Sequence, residues 1–257
     1  MLKIFNSNEE IIKINPEIVL FDKDGTLIDI HLYWSSMLKL RSTMIVDKWF
    51  DSHSKKNTIQ KELIDSMGVD LSSGKIKKTG PVGIKSRKFI VNLASNIVRS
   101  NGVQIENNDT EEIFLEIDRI TSKDMTPLLR LLPGALNLLK NLEILGISMA
   151  VVSNDITSRT CLAMESLKID HFFTEIIGGD AVQNNKPSPD LVSLISQKTG
   201  INIDKMMMIG DSPIDIEMGL SAKINSNVAV LTGISDINSF KDFNCIVIND
   251  LRFIEVE

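Results

Sequence analysis

Short apolar runs, each closed by an acidic, polar or glycine residue, occupy both ends of this chain, and a stretch with helical periodicity lies between them. The first clear run is Ile18-Val19-Leu20-Phe21, directly ahead of Asp22, so residues 16–31 read as strand, acidic turn and short return. From Tyr33 to about Ser122 the period changes to that of a helix, with no convincing strand. Trp34, Met37, Leu38, Met44 and Ile45 start one helix, and Ile59, Leu63 and Met67 fall at i, i+4 and i+8 of another. Phe89, Ile90, Leu93, Ala94, Ile97 and Val98 make a two-column stripe, and Ile113, Phe114, Ile117 and Ile120 a fourth. Four amphipathic helices in about 90 residues read as a small helical domain whose stripes form its core.

After Thr126-Pro127 the texture alternates. Pro133-Gly134 opens a helix with the apolar face Ala135, Leu138, Leu139, Leu142 and Leu145, and Gly146 ends it. Then come strand Ile147–Val152, a helix near Thr157–Leu167, strand Glu175–Ile177 and a helix near Pro189–Lys198. Strand Met206–Ile209, helix Pro213–Ala222, strand Val228–Leu231 and a last apolar stretch, Cys245–Ile248, follow. Apolar strands separated by helices predict an α/β fold, a parallel sheet covered by helices on both faces. Strand Ile18–Phe21 has no partner nearby and is expected to complete that later sheet. The reading is therefore one core of residues 1–31 and 126–257, interrupted by an inserted all-helical domain at 32–125. No internal repeat or low-complexity segment is visible.

Composition narrows the classes of function. The 257 residues are 43% hydrophobic and 24% charged, as in ordinary globular proteins, and long enough to bury a core. A net charge of -6 lacks the basic footprint of a nucleic-acid binder. Cys161 and Cys245 are too few for a disulfide framework and lack metal-ligand spacing, so they are expected as small core residues in a reducing cytosol. The first ten residues carry scattered charges and no secretory pattern, and no apolar run nears the roughly 18 residues of a membrane span. A cytoplasmic chain with neither nucleic acid nor membrane as partner is expected; its oligomeric state is left open.

The chemistry gathers at the strand ends. Asp22-Lys23-Asp24-Gly25-Thr26 places two carboxylates at the carboxyl edge of a sheet, where open α/β sheets bind ligands. Asp22 can act as nucleophile and Asp24 can supply a proton, with Lys23 pointing to the other side and Gly25 freeing the turn. Ser153-Asn154-Asp155 follows strand Ile147–Val152 and offers a hydroxyl, an amide and fresh helix N–H groups to an anion such as phosphate; an ordinary N-cap cluster has the same composition. Gly210-Asp211-Ser212-Pro213-Ile214-Asp215 sets two acids four apart, able to hold Mg²⁺ or simply to cap a helix. In Asn184-Asn185-Lys186-Pro187-Ser188-Pro189-Asp190, two prolines stiffen the loop around one lysine, which reads either as a held ammonium or as a surface side chain. Taken together, the acids would assemble a Mg²⁺ site while Lys186 and Ser153 neutralise a phosphoryl group.

Asp22 through Thr26, Ser153, Lys186 and Gly210-Asp211 through Asp215 resemble the four motifs of the haloacid dehalogenase superfamily in type, order and spacing. The resemblance covers the core, and the helical insertion resembles the cap of the phosphoglycolate phosphatase-like branch by position and helicity. It implies a Rossmann-like core and a cap that closes over the active site. It also implies Mg²⁺ bound by Asp22, the backbone carbonyl of Asp24, and Asp211, with Asp215 supporting the metal shell or orienting Lys186. Phosphoryl oxygens would accept hydrogen bonds from Ser153 and from backbone N–H groups near Asp24 and Asn154. The second acid, Asp24, points to phosphate-ester chemistry.

A Mg²⁺-dependent phosphatase for a small phosphorylated metabolite, phosphoglycolate or a sugar phosphate, is the function these observations imply. A β-phosphoglucomutase-like phosphotransferase is the alternative enzyme, and a receiver-like domain that stores phosphate on Asp22 the non-enzymatic one. Specificity is expected from residues outside the motifs. Lys75 to Lys88 holds six Lys or Arg in fourteen residues around Gly80-Pro81-Val82-Gly83, with Lys85 and Arg87 the candidates for a second anionic group. His31, Tyr33 and Trp34 follow the catalytic strand and are candidates for the pocket mouth; a solvated loop and hinge packing are the plainer readings.

Overall fold

Three short strands open the chain: β1 (Leu2–Phe5), β2 (Ile11–Ile14) and β3 (Ile18–Phe21). They fall into two sheets of the computed structural model, which describes residues 1–6, 10–82 and 85–257. The chain divides into two compact units, residues 1–29 with 129–257, and residues 30–128.

Residues 30–128 are built from α1 (Ile30–Trp49), α2 (Lys56–Ser66), α3 (Arg87–Ser100) and α4 (Asn107–Thr121). Helix α1 packs on α2 and α4, and α3 packs on the same two, which closes a four-membered arrangement. Ser86 caps α3 by accepting from the Phe89 N–H, and Glu106 with Asp109 forms a capping box on α4. Met37, Leu38, Ile45, Ile59, Leu63, Ala94, Val98, Ile113 and Phe114 are buried, as their spacing requires. Phe89 and Ile120 sit at the margins of their stripes and are 45% and 43% exposed.

Among these apolar residues lies a charged cluster that the periodicity did not reveal. The Arg41 guanidinium is buried, lies 4.4 Å from the Phe114 ring centroid and donates to Asp118 Oδ1 at 2.9 Å. Arg87 pairs with the other Asp118 oxygen and, at 2.7 Å, with Glu111. One carboxylate thus joins α1, α3 and α4 through two guanidinium groups.

In the other unit, α5 (Ala135–Ile144), β4 (Ser148–Val152), α6 (Thr157–Ser166), β5 (Glu175–Ile177), α7 (Asp190–Thr199) and β6 (Met206–Gly210) follow in turn. They are succeeded by α8 (Pro213–Ser221), β7 (Ser226–Val230), β8 (Ile246–Ile248) and β9 (Ile254–Val256). The order β5-β4-β3-β6-β7-β8 is parallel throughout, with β3 next to the middle of the sheet and hydrogen-bonded to both β4 and β6. All four residues of β3 and all five of β6 are buried, so both faces are covered and the strands read as unbroken apolar runs. Ile18 and Leu20 share one face with Leu191, Val192 and Ile195 of α7 and Met218 of α8.

A second sheet, antiparallel in the order β2-β1-β9, was not anticipated from the sequence. Its strands are three or four residues long, and β1 pairs with β9 through Ile4↔Ile254, at the opposite end of the chain. Such segments are too short to show a period, and although β1 and β2 are consecutive, β9 joins them from the far end of the sequence. Helix α5 contacts both β4 and β9 and so ties the two sheets together. Cys161 and Cys245 are half-buried rather than core residues. No helix of the described residues is long and apolar enough to cross a membrane.

The Asp118 cluster predicts that Asp118→Ala, which takes the carboxylate from the buried Arg41 and leaves Glu111 to serve Arg87, destabilises the protein by about 2 kcal/mol, below the range for a fully buried pair. Denaturant unfolding of the variant and the wild type measures this, and an unchanged midpoint would contradict it.

Candidate active site

The sheet reverses its direction of growth around β3: β4 and β5 extend it on one side and β6, β7 and β8 on the other. The carboxyl ends of β4, β3 and β6 therefore stand together, and each is followed at once by a polar side chain: Ser153, Asp22 and Asp211. The Asp22 N–H donates to the Ile209 carbonyl at 2.9 Å, and the Ser153 N–H to the Ile177 carbonyl at 3.0 Å. These backbone bonds extend the ladders one step past the strands and fix where both side chains start.

Lys186 is buried, and its ammonium donates to Asp22 Oδ1 at 2.6 Å and to Asp215 Oδ1 at 2.8 Å. Asn154 holds the lysine's own backbone, accepting the Lys186 N–H on Oδ1 at 3.0 Å. Asp215 serves two structures at once. Its Oδ2 accepts the Ser212 N–H at 3.0 Å in the capping box of α8, while Oδ1 takes the lysine. The capping interaction and the ion pair are therefore not alternatives for this residue.

Asp211 is buried, and no hydrogen-bond donor among the described residues serves its carboxylate. Two glycines make room for it. A Cβ on Gly25, whose φ is +95°, would lie 2.5 Å from Asp211 Cγ, and one on Gly233 would lie 1.6 Å from Asp211 Oδ2. Asp22, Asp211 and Asp215 each offer a carboxylate oxygen within 4.8 Å of the others. Three buried carboxylates against one ammonium leave excess negative charge, and hard oxygen donors around an unpaired Asp211 fit a divalent cation.

Asp24 lies beside this group. Its Oδ2 is 2.8 Å from the Lys23 ammonium, and its Oδ1 is buried with no hydrogen-bond partner among the described residues. Lys23 is only 1% exposed and also reaches Asp155 Oδ2 at 3.1 Å. Strand alternation would send this lysine to the opposite side; instead it turns back to the two acids, because an ammonium removed from water must be paired. Asp155 is in turn 3.9 Å from Arg159. Ser153 Oγ accepts the Asp155 N–H at 3.1 Å, and the N-cap of α6 is Ile156, so this polar triplet is not the cap of that helix.

Burial sets the electrostatics. It pushes the Asp22 carboxyl up to about 6, with Lys186 pulling it down and Asp215 pushing it further up. Burial and the charges of Asp22 and Asp215 raise Asp211 well above the usual carboxylate range. Asp24 is raised by burial against the pull of Lys23. Lys186 is raised, because Asp215 and Asp22 outweigh its own burial.

The candidates for substrate choice belong to the 30–128 unit. His31 Nδ1 accepts the Ile76 N–H at 3.2 Å, and Tyr33 is buried with its ring 5.2 Å from that of Trp34. Lys85 is exposed, 6.0 Å from the Phe89 ring centroid, and Arg87 is engaged by Glu111 and Asp118. Gly83, in the basic loop, lies outside the described residues. Three contributors to the site went unread in the sequence: the inward turn of Lys23, the Asn154 brace on Lys186 and the Asp155 partner of Lys23. The alternation of charge in Asp22-Lys23-Asp24 was the one signal for the first.

Residues 19–229 match the family model described as haloacid dehalogenase-like hydrolase. The phosphoglycolate phosphatase of Salmonella paratyphi A is 36% identical over 92 residues, so the match spans about a third, 36%, of each chain. Among solved structures, a predicted phosphoglycolate phosphatase from Haemophilus somnus superposes with a TM-score of 0.63 at 20% identity, covering 93% of this chain and 96% of its own. A candidate β-phosphoglucomutase from Thermotoga maritima gives 0.63 at 17% identity, covering 92% and 95%. At these identities the two structures show a shared fold.

The acid excess makes a prediction for the metal-free protein. With its carboxyl raised from the usual 3.8 to about 6, folded Asp22 keeps a proton that the unfolded chain releases. The stability this contributes is present below the unfolded value and is lost as pH rises through the folded one. A divalent cation should therefore raise the melting temperature more at pH 7 than at pH 5. Thermal unfolding with Mg²⁺ and with EDTA at the two pH values checks this; equal shifts, or none, would contradict it.

Proposed function

The chain belongs to the haloacid dehalogenase-like hydrolase family, and on that premise we propose that it is a Mg²⁺-dependent phosphatase acting on a small phosphorylated metabolite in the cytoplasm. The observation that carries the proposal is the buried Lys186, held between Asp22 and Asp215 at a strand end where Asp211 and Ser153 also converge. The carboxylates of Asp22 and Asp211 and the backbone carbonyl of Asp24 would hold Mg²⁺. When bound, the ion supplies positive charge against which a phosphate dianion can approach a carboxylate.

Asp22 is the nucleophile. Its oxygen forms a bond to phosphorus as the ester P–O bond breaks, and Asp24 gives its proton to the departing oxygen. Water then attacks the aspartyl-phosphate, Asp24 takes the proton from that water, and the bond between Asp22 and phosphorus breaks to release phosphate. Lys186 offsets phosphoryl charge, Asp215 keeps its ammonium in place, and Ser153 and the backbone N–H groups near Asp24 and Asn154 donate to the phosphoryl oxygens. Phosphoglycolate and sugar phosphates are the leading substrates, on the strength of the partial match to phosphoglycolate phosphatases. Lys85, Arg87, His31 and Tyr33 remain the candidates for selecting among them. Phosphoryl transfer of the β-phosphoglucomutase kind uses the same set of groups and is the second reading; it requires a sugar bisphosphate as activator and gives little net phosphate.

Phosphate release from a panel of phosphorylated metabolites tests the proposal. Release is expected with Mg²⁺, is abolished by EDTA, and falls about 10³-fold or more in Asp22→Asn. Wild-type rates in that variant would remove Asp22 from the nucleophile role, and activation by a sugar bisphosphate without net release would favour the mutase reading.

A further inference from the structure

The Asp24 carboxyl has two oxygens in unlike surroundings. Oδ2 lies 2.8 Å from the Lys23 ammonium, whereas Oδ1 is buried and has no hydrogen-bond partner among the described residues. Lys23 is 1% exposed and is itself anchored on Asp155 Oδ2 at 3.1 Å, and Asp155 is fixed by its own surroundings. The Asp155 carbonyl accepts the Gly179 N–H at 2.8 Å, its N–H donates to Ser153 Oγ at 3.1 Å, and its Oδ1 accepts the Ile156 N–H at 2.9 Å. The loop after β4 thereby holds the lysine, and the lysine holds one oxygen of Asp24. A carboxyl pinned at one oxygen by a charged donor has one rotamer and one free oxygen.

We propose that Lys23, braced by Asp155, is a positioning residue that orients Asp24 so that Oδ1 alone carries the proton exchanged with the ester oxygen and then with water. The inference rests on the phosphatase reading above and deepens it. In the first half-reaction the proton moves from Asp24 Oδ1 to the leaving oxygen as the P–O bond breaks and the bond from Asp22 to phosphorus forms. In the second, Oδ1 takes the proton of the attacking water as the aspartyl-phosphate bond breaks. Lys23 touches neither substrate nor phosphorus in this account; it acts through the geometry of its neighbour.

That role has a signature that loss of fold does not share. An alkoxide needs a proton to depart, whereas p-nitrophenolate is a stabilised anion that leaves without one, so general-acid misplacement slows alkyl esters selectively. The measurement is kcat/KM, which reports the steps through leaving-group departure, for phosphoglycolate and glucose 6-phosphate against p-nitrophenyl phosphate. Lys23→Met is expected to lower the alkyl-to-aryl ratio by about 10- to 100-fold, the scale of a small displacement of a catalytic group. Asp24→Asn should lower the ratio by about 100-fold or more. The double variant should lower it no further than Asp24→Asn alone, because both changes remove one function. Asp155→Asn, which loosens the brace and leaves Lys23 in place, should lower the ratio in the same direction and carries the test where Lys23→Met fails to fold. An equal loss on alkyl and aryl esters, an unchanged ratio in a folded variant, or additive losses in the double variant would overturn the proposal while leaving the phosphatase reading intact. A wild-type chain that releases phosphate from no alkyl ester would overturn both.

Discussion

A lysine ammonium taken out of water loses its charge or finds anions, and the burial of Lys186 ties together distant parts of this structure. Its two partners come from distant parts of the sequence: Asp22 at the end of β3 and Asp215 in the first turn of α8, following β6. The pairing exists only when β3 lies between β4 and β6, so the candidate site and the sheet order are one arrangement. The loop that carries the lysine is held in turn by Asn154 at the end of β4. Three strand ends are thus referenced to one lysine, β4 through its backbone N–H and the other two through its ammonium nitrogen, which is a direct way for a fold to fix several side chains relative to one another.

The charge balance around that nitrogen is deliberately incomplete. Asp22 and Asp215 satisfy Lys186, but Asp211 is buried against two glycines without a donor among the described residues. Stability alone would favour a neutral or paired residue at that position. A site kept short of positive charge is suited instead to a cation, and burial among like charges raises the proton affinity of Asp22 and Asp211. The charged cluster of the helical unit is built on the opposite logic. There Asp118 is held below the usual carboxylate range, because hydrogen bonds from Arg87 and the charge of Arg41 outweigh its burial. Two cations share an acid beside an aromatic ring, an arrangement that fastens helices together.

What the sequence disclosed follows from which forces act locally. The strand ends, the four helices and the parallel core were legible because apolar runs and helical periods are properties of consecutive residues. Asp22, Asp24, Ser153, Lys186, Asp211 and Asp215 were legible as a set because each follows an apolar strand or sits in a stiffened loop. The sheet formed by β1, β2 and β9 was not, since Leu2, Ile4 and Ile254 meet only after the chain has closed on itself. Neither was the Arg41–Asp118–Arg87 cluster, because a buried guanidinium looks in sequence like any polar residue on a helix. Phe89 and Ile120 show the converse error, counted as core by period but left at the surface by the width of the contact.

Lys23 is the case in which a sound local rule failed for an identifiable reason. Alternation along a strand places Asp22 and Asp24 on one side and Lys23 on the other, but alternation lasts only as long as the strand. Here β3 ends at Phe21, and the chain turns at once: the Lys23 carbonyl accepts from both Leu27 and Ile28, and the Gly25 N–H donates to the Ile28 carbonyl at 2.7 Å. Once the backbone is curled in this way, the lysine side chain no longer has an opposite face to occupy, and its ammonium turns back to Asp24 and Asp155. The same turn needs the positive φ of Gly25 and opens the space that Asp211 fills. One tight turn therefore ends the strand, admits the third carboxylate and sets a cation beside the second, so that the three acids, alike in chemistry, stand in three different environments.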